Sequence, residues 1–379
     1  MSRVAIIGGG IVGAAIAYEL SRRPELTVIL LERDEPAAGS TGAALGVLMG
    51  AISQKTRGRA WQLRQASLQR YQTLIDELQT LTGQAIPHNR QGIVLLHAAT
   101  EANWPHWERL QALRQQQGWP LELWSRSQLE ACCPQVAIAP NNLDGAIYSP
   151  ADGQVDPTAL TEALIAAAVA QGARCYCGTT VTAIATEAVA GPQRVTGLQA
   201  GEQSLACDWL VIAAGLGSLP LTTQLQAPVN LRPVLGQALQ VQLPQDLGRP
   251  EFQPVLSGED VHLVPLGGGA YWVGATVEFP ETAEGVRADP QRLHQLWQRA
   301  IAFYPALAQG EIVRTWSGQR PRPEGQSAPV IGPLAGYDNV LLATGHYRNG
   351  VLLAPATALA IATALAARSP ADRFPAPTS

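Results

Sequence analysis

The stretch from Arg3 to Gly13, RVAIIGGGIVG, places a short apolar run directly before the spaced glycines Gly8, Gly10 and Gly13. Small residues at helical spacing follow as far as Arg22, so the stretch predicts a strand, a glycine turn and a helix. In this order the first glycine permits the tight turn, the second lets the backbone approach a pyrophosphate, and the third lets helix and strand pack closely. The stretch therefore predicts a dinucleotide site with its phosphates at the helix N-terminus.

A second predicted strand, Thr27 to Leu31, completes a βαβ unit and runs into Glu32. Glu32 follows Gly13 at about the 20-residue spacing where an acid accepts hydrogen bonds from the ribose hydroxyls and disfavours a 2′-phosphate. An incidental glycine turn is the alternative interpretation. The agreement of strand, turn, helix, second strand and acid favours a dinucleotide, either FAD or NAD.

The rest of the chain predicts two domains of different sheet type. Helices are predicted over Ala60 to Leu81, Trp104 to Gln117, Thr158 to Gln171 and Arg287 to Phe303, and strands over Gly92 to His97, Val181 to Ile184, Asp208 to Ala213 and Val340 to Ala343. From Arg232 to Thr276 the pattern changes to short strands bounded by glycine and proline, with a hairpin over Val261 to Thr276.

We therefore expect an α/β fold in which the dinucleotide domain is discontinuous. Its doubly wound, mainly parallel, Rossmann-like sheet is assigned to residues 1–85, 140–218 and 318–368. An α+β substrate domain on a mainly antiparallel sheet is assigned to residues 86–139 and 219–317, and residues 369–379 to a frayed tail.

Composition narrows the class of protein. A chain of 379 residues suggests about two domains and an enzyme. The 26 Lys and Arg against 30 Asp and Glu include no basic tract, which argues against a nucleic-acid partner. The five cysteines lack zinc-site spacing, and their odd number argues against a disulfide framework. We expect Cys175 and Cys177 on one face of a strand as small apolar residues, with a redox pair as the alternative.

Two apolar stretches could be taken for a signal peptide and a membrane-spanning helix, but residues within them argue against both. The first twenty residues resemble a signal peptide, but the glycines of the predicted turn interrupt them. The stretch from Val351 to Ala367 contains Pro355 and is too short to cross a bilayer comfortably. We expect a buried helix there, no membrane span, and a cytoplasmic protein.

FAD is favoured over NAD by the residues after Glu32. The stretch AAGSTGAALGVLMG, from Ala37 to Gly50, consists of small residues that let the backbone pass close to a ligand. It resembles the loop of the D-amino-acid oxidase family that lies along the diphosphate and isoalloxazine, and DWLVIAAG, from Asp208 to Gly215, is similar to a later FAD motif of that family. Covalent members use a C-terminal cysteine and none follows Cys207, so the resemblance implies non-covalent FAD.

Two arginines near the end of the chain are hard to explain as solvated surface. Arg320 stands between Gly318 and Pro321, and Arg348 stands beside Asn349 at a predicted strand-to-helix corner. A planar guanidinium can bind a carboxylate through two parallel hydrogen bonds. The alternative is that each arginine pairs with a protein carboxylate or caps a carbonyl.

The stretches GHYRNGVLLAPATA (345–358), SGQRPRPEGQSAPVIGP (317–333) and LVPLGGGAYWVGAT (263–276) resemble the glycine oxidase branch of the same family, which serves thiamine biosynthesis. The resemblance covers almost the whole chain. It implies that Arg320 is the main carboxylate anchor and that Arg348 flanks the substrate, while His262 stands where the family typically has a tyrosine. The implied FAD contacts are Gly8, Gly10, Ile11, Val12, Gly13, Glu32, Arg33, Ser40, Thr41, Leu45, Gly46, Val47, Val181, Gly215, His346, Tyr347, Arg348, Asn349, Gly350, Val351 and Leu352.

The resemblance implies oxidative deamination of glycine, sarcosine or D-alanine with O₂ to glyoxylate, ammonia and H₂O₂. Catalysis then needs orientation and hydride transfer to the flavin but no protein base, and His262 and His346 are expected to be structural. A hand-off of the glycine imine to thiazole synthase and a homotetramer are also implied. The alternatives are a sarcosine or D-amino-acid oxidase or dehydrogenase, and a non-catalytic flavin-binding accessory subunit.

Overall fold

A computed structural model describes residues 1–101, 103–187, 191–259, 261–280 and 286–367 of the chain. The predicted tail, 369–379, lies outside them. The strands are β1 Ser2–Ile7, β2 Leu26–Leu31, β3 Val47–Leu48, β4 His88–Asn89, β5 Ile93–Ala98, β6 Glu122–Ser125, β7 Leu143–Ser149, β8 Gly153–Val155, β9 Arg174–Tyr176, β10 Val181–Glu187, β11 Arg194–Ala200, β12 Gln203–Ala206, β13 Trp209–Ile212, β14 Leu231–Gln242, β15 Val255–Gly258, β16 Val261–Gly267, β17 Ala270–Gly274, β18 Glu311–Pro323, β19 Val330–Pro333 and β20 Val340–Thr344. The α-helices are α1 Ile11–Ser21, α2 Gly58–Thr82, α3 Trp104–Gln116, α4 Arg126–Cys132, α5 Pro157–Ala170, α6 Ser218–Gln224, α7 Pro290–Phe303 and α8 Gly350–Ala366.

The first sheet has six strands in the order β19-β20-β13-β1-β2-β9. All of its pairs are parallel except β19 with β20. The central strands β1, β2, β13 and β20 are buried almost throughout, because both faces of the sheet are covered. The predicted mainly parallel sheet and its opening βαβ unit are confirmed.

Alternate residues of the central strands enter two different cores. On one face, Val4, Ile6 and Leu30 pack with helices α1, α2, α5 and α8. On the other face, Ala5 and Ile29 pack with the meander β10-β11-β12 and helix α6. The sheet is therefore the middle layer of three, since side chains alternate between the faces of a strand.

The second sheet has eight strands in the order β18-β14-β17-β16-β15-β5-β7-β6, and β15–β5 is its parallel pair. The expectation of short strands from Arg232 onward is wrong for β14, which runs for 12 residues. Pro233 does not end the strand, because Pro233 pairs with Pro321 of β18 and the pairs of β14 with β17 begin only at Ala238. Helix α7 packs against this sheet.

Capping side chains set two helix starts that periodicity placed differently. Helix α5 begins at Pro157 because Asp156 accepts hydrogen bonds from Thr158 N and Ala159 N at 2.9 Å. Helix α7 begins at Pro290, later than the expected Arg287, because Asp289 accepts a hydrogen bond from Gln291 N.

The C-terminal apolar stretch is the buried helix α8, as predicted. In the parts of the chain that the structure describes, the helices are too short or too polar to span a membrane.

The division into two domains stays a prediction: strand β7, in a segment assigned to the first domain, pairs within the eight-stranded sheet. The expectation for the cysteine pair is wrong in one respect, because β9 ends at Tyr176 and Cys177 is exposed.

Candidate active site

A cavity of about 860 Å³ is lined by residues of both large sheets. The glycine turn, the end of β2 and the start of α8 contribute to it, as do β14, β16 and β18. It brings together most of the predicted site residues: Gly8, Gly10, Ile11, Val12, Glu32, Arg33, Ser40, Thr41, Leu45, Gly46, Val47, Gly215, His262, Arg320, His346, Tyr347, Arg348, Asn349, Gly350 and Val351. Segments far apart in sequence therefore face one space.

Three predicted cofactor contacts lie outside the lining. Gly13 has the packing role that the fingerprint gives it, because a Cβ there would lie 1.8 Å from the Gly8 carbonyl oxygen. Val181 opens strand β10 in the small meander, and Leu352 is buried in the helical core. Their direct contact with FAD stays a prediction.

The glycine turn gives one end of the cavity the shape of a dinucleotide site. Gly8 has φ +116° and a Cβ there would lie 2.5 Å from the carbonyl oxygen of Ala213, so only glycine fits. Helix α1 starts directly after Gly10, with no side-chain cap and no acidic residue in its first turn. Its first N–H groups have no partner within the helix and make that end electropositive, which suits a pyrophosphate.

The acid at the end of β2 is held in a fixed position beside that turn. Glu32 accepts hydrogen bonds from Gly9 N at 2.5 Å and from Asp34 N at 2.9 Å. Thr41 accepts one from Ile11 N at 3.1 Å, which ties the loop of small residues to α1. A ribose acid and an open helix N-terminus along one cavity are the groups that the adenosine diphosphate of FAD requires.

Arg320 lies at the side of the cavity formed by the eight-stranded sheet. Its Nη1 donates hydrogen bonds to the carbonyl oxygens of Leu235 at 3.2 Å and Thr276 at 3.1 Å. The guanidinium lies against Gly236, where a Cβ would be 2.2 Å from Nη2. The two bonds and the missing side chain fix the orientation of the guanidinium plane.

Arg348 and His262 line the same cavity in more open positions. Arg348 is exposed, whereas His262 and Arg320 are half-buried. Arg320 is therefore the more buried of the two arginines, and its role as the main carboxylate anchor stays a prediction.

His346, which lines the same cavity as Arg320 and Arg348, is buried and remains neutral. Its Nε2 lies 2.9 Å from the Thr357 hydroxyl. Burial, with the nearby Arg59 charge, lowers the pKa of His346 to about 3. An imidazole that stays neutral at physiological pH and bonds a helix side chain fits the expected structural role.

The corner from His346 to Gly350 places the start of helix α8 at the cavity. Tyr347 adopts the left-handed conformation at φ +53°, and helix α8 begins at Gly350 without a side-chain cap from Asn349. The Tyr71 hydroxyl donates to the Val351 carbonyl at 2.6 Å, which fixes the first turn to helix α2. The first N–H groups of α8 have no partner within the helix and favour an anion there.

Arg64 is a cavity residue that sequence reasoning missed. It is 8% exposed and donates to the Ala60 carbonyl at 2.9 Å and the Asn349 side-chain oxygen at 3.3 Å. Burial lowers its pKa. Its position carried a signal, since Arg64 falls on the same helical face as the buried Trp61 and Tyr71.

A loop behind the cavity is held by two buried charged side chains that sequence reasoning also missed. Asp152 accepts hydrogen bonds from the backbone N–H groups of Gly50, Ala51 and Ile52 at 2.7 to 2.8 Å. Arg114 donates to the carbonyls of Ala51, Ser53 and Lys55 at 2.7 to 2.8 Å, and its guanidinium lies 3.6 Å from the Trp61 ring centroid. The neighbouring residues Met49 and Ser53 line the cavity, so these two charges shape its wall.

Cysteines and metals do not contribute to the lining. None of the five cysteines, all of which the structure describes, lines the cavity. Among the described residues, no three His, Cys, Asp or Glu side chains lie together in an arrangement that could hold a metal ion.

A family model described as FAD dependent oxidoreductase (DAO) matches residues 3–364. The chain is 34% identical over 372 residues to the bifunctional protein ThiO/ThiG of Synechocystis sp., which covers 95% of this chain and 51% of that protein. The chain thus spans about half the length of that relative. It is 31% identical over 359 residues to the glycine oxidase of Geobacillus kaustophilus, covering 95% of this chain and 91% of that protein.

Two solved structures have the same fold as this chain. The crystal structure of glycine oxidase from Geobacillus kaustophilus superposes with a TM-score of 0.84 at 30% identity, covering 97% of this chain and 96% of that one. An iminodiacetate oxidase from Chelativorans sp. shares the fold at 20% identity, with a TM-score of 0.82.

Proposed function

The chain belongs to the DAO family of FAD-dependent oxidoreductases, and on that premise we propose that it is a glycine oxidase. The proposed reaction is the oxidative deamination of glycine with O₂ and water, which yields glyoxylate, ammonia and hydrogen peroxide; other small amines such as sarcosine or D-alanine would give the corresponding carbonyl and amine products. The observation that carries the proposal is the cavity itself. The dinucleotide turn with Glu32 and the fixed guanidinium of Arg320 line the same space.

Arg320 binds the substrate carboxylate in this proposal. Its guanidinium is already oriented by the carbonyls of Leu235 and Thr276, so little side-chain entropy is lost when the carboxylate binds. FAD held beside Glu32 and the start of helix α1 would supply the two-electron acceptor for oxidation of the substrate at Cα. The chain's part is to hold Cα in a fixed place, because orientation can supply several kcal/mol of the barrier.

The proposal requires no protein base. The substrate amine reacts in its neutral form, so no side chain has to accept its proton during the oxidation. His346 is neutral, buried and bonded to Thr357, which supports a structural role. The first turn of α8, with Arg64 close to Asn349, adds positive potential to the cavity wall.

Three finer predictions go with the proposal. The preference among glycine, sarcosine and D-alanine depends on the pocket around His262, which stands in place of the family's usual tyrosine. A hand-off of the imine to thiazole synthase is supported by the similarity to a bifunctional ThiO/ThiG protein. A cytoplasmic location rests on the interpretation of the two apolar stretches of the sequence, and a homotetramer rests on the resemblance alone.

A substrate panel separates the proposal from its alternatives. Glycine, sarcosine, D-alanine and D-proline are each supplied to the FAD-loaded protein, and oxygen consumption and peroxide release are measured. Turnover only with an artificial electron acceptor would favour a dehydrogenase. A protein that binds FAD and turns over none of the amines would be an accessory subunit.

Substitution of Arg320 tests the anchor directly. Arg320→Ala should raise the KM for glycine by about 100-fold or more, because a paired, charge-assisted interaction with the carboxylate is lost. Arg320→Lys keeps the charge but not the paired geometry and should give an intermediate KM. FAD absorbance should stay unchanged in both variants.

The matched control is Arg322→Ala, an exposed arginine of the same strand that does not line the cavity. Its KM should equal that of the unmodified protein. Glycine kinetics that do not change in Arg320→Ala would show that the carboxylate binds elsewhere.

A further inference from the structure

Two cysteines lie side by side at the edge of the six-stranded sheet. Cys175 is in the edge strand β9, and Cys177 follows directly after the strand. Their sulfur atoms are 3.7 Å apart. Cys177 is exposed, while Cys175 is half-buried against the helical core.

The backbone around the pair can bring the two sulfur atoms together. A disulfide needs the sulfurs at about 2.05 Å and the Cα atoms within about 7 Å. Residues two apart at a strand end project to the same side, which explains why the thiols already touch. Gly178 follows in the left-handed conformation at φ +64° with nothing within 4 Å of its Cβ position, so no side chain packs against the turn after β9 on that side.

We propose that Cys175 and Cys177 are a peroxide-responsive thiol pair that controls retention of the dinucleotide. The Cys177 sulfur attacks one oxygen of hydrogen peroxide, the O–O bond breaks, and the products are a sulfenic acid and water. The Cys175 sulfur then attacks the Cys177 sulfur, the S–O bond breaks, and a second water leaves. Two thiols and one peroxide thus give one disulfide and two waters.

The order of the two steps follows from exposure. Cys177 meets dissolved peroxide first because its side chain is exposed. Burial and the neighbouring thiol raise the pKa of Cys175 to about 12, so Cys175 is not the thiol that reacts first with peroxide; in the second step its proton leaves with the hydroxyl of Cys177 as water. Peroxide is the product of the proposed oxidase reaction, so its source in the cell rests on the proposed function, although the thiol chemistry does not.

The pair is connected to the cavity through the backbone of the residue between the two cysteines. The Tyr176 carbonyl accepts a hydrogen bond from Glu32 N at 2.9 Å. Thr179 N donates to the Glu32 carbonyl at 2.8 Å, and Gly178 N donates to the Asp34 carbonyl at 3.1 Å. These three bonds hold Glu32 and Asp34, both of which line the cavity at its dinucleotide end. Closing the disulfide shifts Tyr176 and Gly178, so oxidation should loosen the hold on the ribose.

The test treats the FAD-loaded protein with added peroxide in the absence of amine, with catalase to stop the reaction. We expect the five free thiols to fall to three, the mass to fall by two hydrogen atoms, and a peptide map to join Cys175 to Cys177. The apparent Kd for FAD should rise about tenfold, the loss of roughly one net hydrogen bond, and dithiothreitol should restore it.

Single variants identify the pair. Cys175→Ser and Cys177→Ser should keep FAD after peroxide treatment, whereas Cys132→Ser, outside the pair, should respond like the unmodified protein. Five remaining thiols, or a disulfide between other cysteines, would overturn the proposed pair. A Cys175–Cys177 disulfide with unchanged FAD affinity would overturn the link to the cavity. Because the oxidant is added and glycine is omitted, either result is independent of whether the protein oxidises glycine.

Discussion

At the scale of single residues, the site depends as much on missing side chains as on charged ones. Gly8 and Gly236 each leave space that another group occupies: a backbone carbonyl at Gly8 and the Arg320 guanidinium at Gly236. Glycine within a strand often marks such a close approach. The position of the Arg320 guanidinium therefore depends on the absence of a side chain at Gly236 in the neighbouring strand β14.

Gly236→Ala should displace the Arg320 guanidinium, because the new Cβ would lie 2.2 Å from Nη2. We expect the KM for glycine to rise at least tenfold with FAD content unchanged, measured by steady-state kinetics and flavin absorbance. In an Arg320→Ala background the same change should add little, since the displaced group is already absent. Additive effects in this double-mutant cycle would contradict the steric coupling.

At the scale of elements, the cavity wall is built by loops that buried charges hold in place. The loop after β3 has no regular backbone pairing of its own, and the two carboxylate oxygens of Asp152 accept three hydrogen bonds from its N–H groups. Arg114 binds the carbonyl side of the same loop. Burial raises the pKa of Asp152, and the hydrogen bonds from the loop N–H groups oppose that shift. Burial lowers the pKa of Arg114 to about 10.

Asp152→Asn should destabilise the protein by about 2 to 4 kcal/mol, because the amide NH₂ would face the Ile52 N–H that the carboxylate now accepts. Urea unfolding with FAD in excess measures this difference. The control Asp76→Asn, which breaks an exposed ion pair with Arg90, should change stability by less than about 1 kcal/mol. Equal effects of the two substitutions would mean that the loop does not depend on Asp152.

At the scale of the whole molecule, the two large sheets meet at the cavity, and several residues of the cavity wall are buried. His346 is one of them and is held neutral, with a pKa lowered from 6.5 to about 3. The unfolded chain binds the proton more readily than the folded one between these values. The contribution of this group is therefore complete above pH 6.5 and is lost as the pH falls towards 3.

His346→Asn should remove that pH dependence. We expect the unfolding free energy of the unmodified protein to fall relative to the variant below pH 6.5, by at most about 1.4 kcal/mol per pH unit. Above pH 7 the two proteins should differ by a constant amount. Urea titrations between pH 4 and pH 8 make the comparison, and parallel curves over this range would contradict a neutral buried His346.

Sequence patterns predicted most of the elements and the family. Apolar periodicity predicted the central parallel strands and the longer helices, including the buried α8, since each of these depends on a local pattern. The glycine turn with its following acid predicted the dinucleotide end, because those roles lie within one βαβ unit. Motifs near the C-terminus indicated Arg320. A motif does not show which residues of other strands contact a side chain, so the contact with Gly236 was not predicted.

Only the tertiary structure decided which distant residues meet. Asp152 reaches the Gly50 loop across 102 positions, and Arg64 reaches Asn349 across 285. Strand pairing likewise places Gly236 against Arg320, and it places Cys177 beside the segment that holds Glu32. Periodicity reports which face of an element is buried but not which element covers it, so these contacts had no sequence signal beyond a misplaced charge or a glycine in a strand.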